Sequence, residues 1–160
     1  MKRSTLVIGL MVIVVVAVGA FALHLPKSNI TAVSHSENPL ITVYKSASCG
    51  CCKKWVSYLE DEGFSVKSIN HDDVDMIKAE NGLTDPSLKS CHTALVDGYV
   101  IEGHVPANDI ERLLSERPKV IGLAAPGMPM MSPGMNSLIP QGYDVLSFSE
   151  NGAATVFSSY

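Results

Sequence analysis

Three of the four cysteines in the chain fall within Cys49-Gly-Cys-Cys52, and the fourth, Cys91, is followed directly by His92. Cys49 and Cys52 form a C-x-x-C pair, a spacing that can cycle between dithiol and disulfide. A following helix and the neighbouring Lys53 and Lys54 would stabilise thiolate there and lower the thiol pKa. Cys51 adds a third sulfur that a redox pair does not need, and three adjacent thiolates can converge on one soft ion. An even cysteine count in an exported chain also allows two structural disulfides. A Cys49–Cys52 bridge, however, closes almost no loop, which favours chemistry over stapling.

The remaining donors narrow the choice of ion. His92 adjoins Cys91, and His104 stands in Glu102-Gly-His-Val-Pro106 at the end of an expected strand. Met128, Met130, Met131 and Met135 lie in one Gly/Pro-punctuated loop, Gly122 to Met135, which is a poor core element and a reasonable soft-metal loop. Met128 and Met135, each in a Gly-Met step, are favoured over the middle pair. Zinc frameworks use two separated knuckles rather than C-x-C-C and a distant cysteine, so zinc is the weaker choice. Thiolate, thioether and imidazole together suit copper, in both Cu(I) and Cu(II) states. His24, His35 and His71 are not assigned to the site.

The elements that must hold these residues are legible from periodicity. Leu40–Lys45 is short and rich in β-branched and aromatic residues, as expected of a strand. Trp55, Val56 and Leu59 give helical spacing up to Gly63, and Phe64–Ile69 alternates as a second strand. Asp72 or Asp73 is placed to cap a short helix ending at Asn81-Gly82. Thr93–Val96, Asp97-Gly98 and Tyr99–Glu102 predict a hairpin, and Ala107–Arg117 an amphipathic helix closed by Pro118. A last hairpin is expected from Tyr143–Phe148 and Ala153–Phe157. The order strand-helix-strand-helix-strand-strand-helix is that of an α/β, thioredoxin-like fold, here with a C-terminal Met-rich loop and β-hairpin extension. In such a fold the residue at the Cys91 position approaches the C-x-x-C turn.

Ahead of this domain, Met1–Thr5 is basic and Leu6–Leu23 is an 18-residue run without charge. Residues 1–22 therefore read as a signal peptide or N-terminal membrane anchor, with Ala20-Phe-Ala22 as an A-x-A cleavage site. Residues 23–39 are polar and aperiodic, as in a flexible tether, and residues 40–160 form the folded domain. Without Lys2 and Arg3 the formal charge moves from −4 to −6. No basic patch with interleaved aromatics is present, which excludes nucleic acid as a partner. Membrane contact is expected only through the N-terminal segment.

Four separated stretches carry a resemblance: Cys49-Gly-Cys-Cys-Lys-Lys-Trp55, Ser90-Cys-His-Thr-Ala-Leu-Val96, Gly98-Tyr-Val-Ile-Glu-Gly-His-Val-Pro106 and Gly122-Leu-Ala-Ala-Pro-Gly-Met-Pro129. In order and form, over residues 40–160, they resemble the CopG-type copper-resistance proteins of the bacterial periplasm. The resemblance implies a periplasmic thioredoxin-like domain that binds copper at the C-x-C-C cluster with the later Cys-His. It also implies a part in copper tolerance, with copper redox conversion. Met130-Met131 makes the loop richer in methionine than that family leads one to expect.

The reading that follows is a periplasmic copper-binding thiol protein. Its candidate ligands are Cys49, Cys51, Cys52, Cys91, His92, His104, Met128 and Met135. Cys49 and Cys52 form the redox pair that would interconvert Cu(II) and Cu(I). Expected partners are copper ions and a periplasmic copper-handling or electron-donor protein. A general thiol-disulfide oxidoreductase is the alternative from another class, favoured by C-x-x-C at a helix start. Cys51 opposes it, as does the lack of a proline immediately before Thr93. A metallochaperone without catalysis would use the same ligands.

Overall fold

The structure, a computed structural model, describes residues 39–135, 137–138 and 141–160. The expected signal or anchor and all but the end of the tether lie outside the described residues. Among the described residues no helix is long and apolar enough to cross a membrane.

Among the described residues, seven strands and three helices make a mixed α/β arrangement around one sheet, of order β2-β1-β3-β4-β5-β6-β7. Strand β1 (Ile41–Lys45) leads into helix α1 (Gly50–Asp61), which returns the chain to β2 (Val66–Asn70), parallel to β1. The apolar residues Cys52, Trp55, Val56 and Leu59 recur at helical spacing and form the buried face of α1. The helix begins at Gly50, so Cys51 and Cys52 lie in its first turn. Gly63, with φ +90°, follows the Glu62 cap and turns the chain towards β2.

Helix α2 (Val74–Glu80) is capped by Asp73, whose carboxylate accepts from the Met76 N–H at 3.0 Å. A single 3₁₀ turn, Pro86–Leu88, precedes β3 (His92–Val96). The turn at Asp97 (φ +48°) and Gly98 (φ +87°) has the left-handed pair that a two-residue hairpin requires, and leads into β4 (Tyr99–Gly103). Helix α3 (Ala107–Glu116) follows, ending in a left-handed Arg117.

The stretch Gly122–Ala125, expected as part of the Met-rich loop, is instead a fully buried strand, β5, parallel to β4. Four small and apolar residues are too short a run to reveal a period. What makes them a strand is the fit against β4. Strands β6 (Asp144–Phe148) and β7 (Ala154–Ser159) then extend the sheet as the expected terminal hairpin.

Both faces of the central strands are buried. Ile101 and Leu123 join the main core with Trp55, Leu59, Ile110 and Leu113, while their neighbours Val100 and Ala124 pack on the other side with Leu83, Leu88 and Phe148. The register then decides where the chemistry falls. Lys45, ending β1, is opposite His92, which opens β3; β4 ends at Gly103, level with Ala125 at the end of β5. Four connections therefore meet at one end of the sheet: those after β1, before β3, after β4 and after β5. Each carries one of the candidate motifs.

A β-carbon at Gly122 would lie 1.8 Å from the Val100 carbonyl oxygen, and backbone cannot move aside as a side-chain tip can. Gly122→Ala is expected to cost about 1–3 kcal/mol or more, read as a lower urea midpoint. A midpoint equal to wild type would show that β5 does not pair with β4 as described.

Candidate metal centre

Cys49 occupies the N-cap of α1, and its sulfur accepts the Cys52 N–H at 3.3 Å. A sulfur thus stands where Ser or Asp usually satisfies the first-turn amides. In the structure Cys49 and Cys52 are joined as a disulfide, and Cys51 and Cys91 are free thiols. The distances among the sulfurs are short: Cys49 to Cys51 is 3.6 Å, Cys51 to Cys91 is 4.0 Å, and Cys52 to Cys91 is 3.3 Å. All four lie within 4.8 Å of one another.

Cys91 also belongs to a second group. Its sulfur is 3.5 Å from His92 Nδ1 and 3.4 Å from His104 Nε2. His104 Nδ1 is 2.7 Å from the Pro133 carbonyl oxygen, which can only accept. The proton of the neutral ring therefore sits on Nδ1, and the Nε2 lone pair faces the thiol. The two imidazoles are themselves adjacent, with ring centroids 5.0 Å apart. Both histidines are fully buried. The His92 ring packs against Trp55 at 4.5 Å, and the indole N–H donates to the Val105 carbonyl at 2.9 Å. His92 Nε2 is buried without a hydrogen-bond partner among the described residues.

Burial sets the protonation of the group. It pushes the Cys91 thiol up to about 11, with the neighbouring Cys51 charge adding to the effect. It holds His92 well below the ordinary histidine value, helped by the charges of His104 and Lys78. His104 is lowered for the same reason, against the opposing Pro133 carbonyl. Burial thus favours the neutral forms of Cys91, His92 and His104, which are soft or borderline donors once the thiol releases its proton.

Behind Cys91 lies a device that the motifs did not reveal. Lys78 from α2 and Glu102 from β4 form an ion pair, exposed by only 2% and 0%. The Lys78 ammonium donates to the Ser90 carbonyl at 2.7 Å, and Glu102 accepts the Ser90 N–H. Both backbone groups of the residue before Cys91 are thus gripped by one buried pair. Burial raises the Glu102 pKa, with Lys78 pulling the other way. A sequence signal existed: Glu102 is the lone charge inside the wholly buried strand Tyr99–Gly103. Buried carboxylates are rarely unpaired.

The methionine loop closes over this end. Ser90 bridges to Gly127, and Gly127 N–H donates to the Lys89 carbonyl at 3.0 Å. A β-carbon on Gly134 (φ +86°) would meet Trp55 N at 2.8 Å and Cys51 O at 3.2 Å. The loop is therefore anchored beside Cys91 at one end and on the first turn of α1 at the other. Met128 and Met135 adjoin those two anchors. Met128 is 55% exposed, as are Met130 and Met131 at 45% each, and Met135 is half-buried. The structure thus gathers Cys49, Cys51, Cys52, Cys91, His92 and His104 into one cluster and sets the methionines on the loop across it. His71 lies outside, its Nδ1 accepting the Asp73 N–H.

Two solved structures of copper resistance protein CopG, its forms 1 and 2, match this chain. Each is 42% identical with a TM-score of 0.72 and covers 78% of the chain; the chain in turn spans 98% and 99% of theirs. The chain belongs to the CopG copper-resistance family. Residues 88–135, which hold Cys91, His92, His104 and the methionine loop, also match a family described as a protein of unknown function, DUF411. No curated protein matches the chain.

Two outcomes are expected from this geometry. Lys78→Met leaves Glu102 buried and unpaired, and should cost about 3–5 kcal/mol, much of it recovered when Glu102→Met is added. Chemical denaturation of both variants measures this, and an unperturbed single variant would mean the pair is not buried. The second outcome concerns pH. Because His92 and His104 have folded-state values below the unfolded one, the unfolded chain binds more protons as pH drops below about 6.5. The metal-free protein should therefore have a lower urea midpoint at pH 5.5 than at pH 7.5. His92→Gln should flatten that slope, and equal midpoints for the wild type at the two pH values would contradict the burial of both rings.

Proposed function

We propose that the protein is an exported copper-binding thiol protein acting in copper resistance, which takes copper ions as cargo at the Cys49–Cys51–Cys52–Cys91 cluster. The position of the Cys91 sulfur carries this reading, with two sulfurs and two imidazole nitrogens within 4.0 Å of it. The donor set is soft at its sulfur side and borderline at its nitrogen side, the combination that suits copper in both oxidation states. His92 and His104 complete the shell, and Met128 and Met135 supply thioethers from the loop. The copper-resistance relatives support the choice of ion over zinc.

Copper conversion is the second part of the proposal. Two Cu(II) ions each take one electron from the Cys49 and Cys52 thiolates, which join as the disulfide and leave two Cu(I) ions. A periplasmic electron donor would return the pair to dithiols. The strand order β2-β1-β3-β4, with β3 alone antiparallel, supports a thioredoxin-like core extended by β5, β6 and β7. The basic start and apolar run ahead of residue 23 support export to the periplasm, with residues 23–39 as the tether of the 40–160 domain.

Metal analysis with X-ray absorption on reduced and oxidised protein tests the reading. Reduced protein is expected to take up copper with mixed sulfur and nitrogen coordination, and disulfide-bonded protein to bind it roughly tenfold or more weakly, a difference of about 1.4 kcal/mol at least. Zinc at one equivalent with no copper uptake would overturn the ion assignment. Equal copper binding by both forms would overturn the coupling alone.

A further inference from the structure

Cys91 faces a disulfide that it does not belong to. Its sulfur is 3.3 Å from Cys52 Sγ, closer than Cys49 is to Cys51 (3.6 Å) or Cys51 to Cys91 (4.0 Å). Thiol-disulfide exchange needs a thiolate at such a sulfur, a base to take the thiol proton and a stabilised leaving group. The sulfur contact, the base and the leaving sulfur are in place, and the thiolate forms only when the base takes the proton. The His104 Nε2 lone pair lies 3.4 Å from Cys91 Sγ, its orientation fixed by the Pro133 carbonyl. The leaving sulfur would be Cys49, which caps α1 and receives the Cys52 N–H at 3.3 Å.

We propose that Cys91 is an internal nucleophile that moves the disulfide, opening Cys49–Cys52 to form Cys52–Cys91 and release Cys49 at the head of α1. His104 Nε2 takes the Cys91 proton. The resulting thiolate turns about its Cα–Cβ bond into line with the Cys52–Cys49 bond and attacks Cys52 Sγ. The new bond is Cys91 Sγ–Cys52 Sγ and the broken one is Cys52 Sγ–Cys49 Sγ. The electron pair of the broken bond leaves on Cys49, and the imidazolium returns its proton to solvent. One disulfide is consumed and one is formed, so no external oxidant or reductant enters. The exchange links the two halves of the centre covalently, ties β3 to α1, and presents Cys49 as a free thiolate to an incoming thiol, disulfide or metal ion.

The inference rests on sulfur and imidazole geometry, not on copper, and its test is run on metal-free protein. Cys51→Ser removes the competing thiol, which lies 3.6 Å from Cys49. That variant, oxidised to a single disulfide and held in chelator at neutral pH, is treated with dilute iodoacetamide and mapped without reduction. The expected product carries the label on Cys49 with Cys52 and Cys91 linked, because the first-turn amides of α1 stabilise a Cys49 thiolate. Label on Cys91 with Cys49–Cys52 intact, or label on neither cysteine, would overturn the proposal. Adding His104→Gln should slow labelling of Cys49 by roughly tenfold or more, as expected for loss of a general base. Circular dichroism confirms folding of that variant, and urea-denatured samples of both proteins should label alike. An unchanged rate in the folded protein would remove His104 from the step. Copper uptake by reduced wild-type protein is unaffected by either result, so the two readings fail separately.

Discussion

The antiparallel insertion of β3 between β1 and β4 is the constraint on which the centre depends. With Lys45 opposite His92 and Thr93 opposite Glu102, the chain leaves β1 for the C-x-C-C turn where it enters β3 from Cys91. A slip of one residue would exchange the faces of β3, carrying His92 away from Trp55 and leaving Thr93 in its place. Three contacts hold that register besides the ladder itself. The Trp55 ring packs on His92, Lys78 and Glu102 grip Ser90, and Gly103 admits Ser90 so closely that a β-carbon there would lie 2.6 Å from Ser90 Cβ. Positioning the donors thus falls to the core and to the ends of the elements packed on it.

Burial gives this arrangement its electrical character. Desolvation raises the Cys91 thiol and lowers both histidines, and each shift favours a neutral group. Without a cation the pocket has little reason to hold thiolates. A soft cation reverses that balance by replacing thiol protons, so metal uptake at such a site is coupled to proton release. The Lys78–Glu102 pair directly behind it is neutral overall, so it orders the Ser90 backbone without setting a strong net field across the sulfurs. Its positive end still reaches His92, helping to keep that imidazole unprotonated and its nitrogen lone pair free.

Much of this was readable from residue order, and the exceptions have physical reasons. The C-x-C-C turn, the hairpin at Asp97-Gly98, the apolar face of α1 and the terminal hairpin each follow from local pattern or turn chemistry. His92 and His104 could be named from their neighbours, yet only the register shows both rings against one sulfur. Strand β5 escaped because Gly122-Leu-Ala-Ala125 is too short for a period, and its identity depends on a backbone approach that only Gly122 permits. The Lys78–Glu102 clamp escaped because its members are 24 residues apart, and Lys78 alone reads as the solvated last turn of a short helix. The methionines show the opposite limit: composition singled them out, but the structure fixes the loop backbone at Gly127 and Gly134 rather than the thioethers.

The disulfide state then has a consequence for metal preference that follows from counting donors. With Cys49 and Cys52 reduced, the cluster offers four sulfurs and two imidazoles; with them joined, two free thiols and the same two imidazoles remain. Oxidation therefore shifts the balance of available donors from sulfur towards nitrogen. Sulfur-rich sites hold Cu(I), whereas imidazole serves Cu(II) as well. On the proposed reading, the cysteine pair that surrenders electrons to copper is also the pair whose oxidation weakens the hold on the Cu(I) produced. Conversion and release would then be one event, set by how many sulfurs the turn at α1 leaves free.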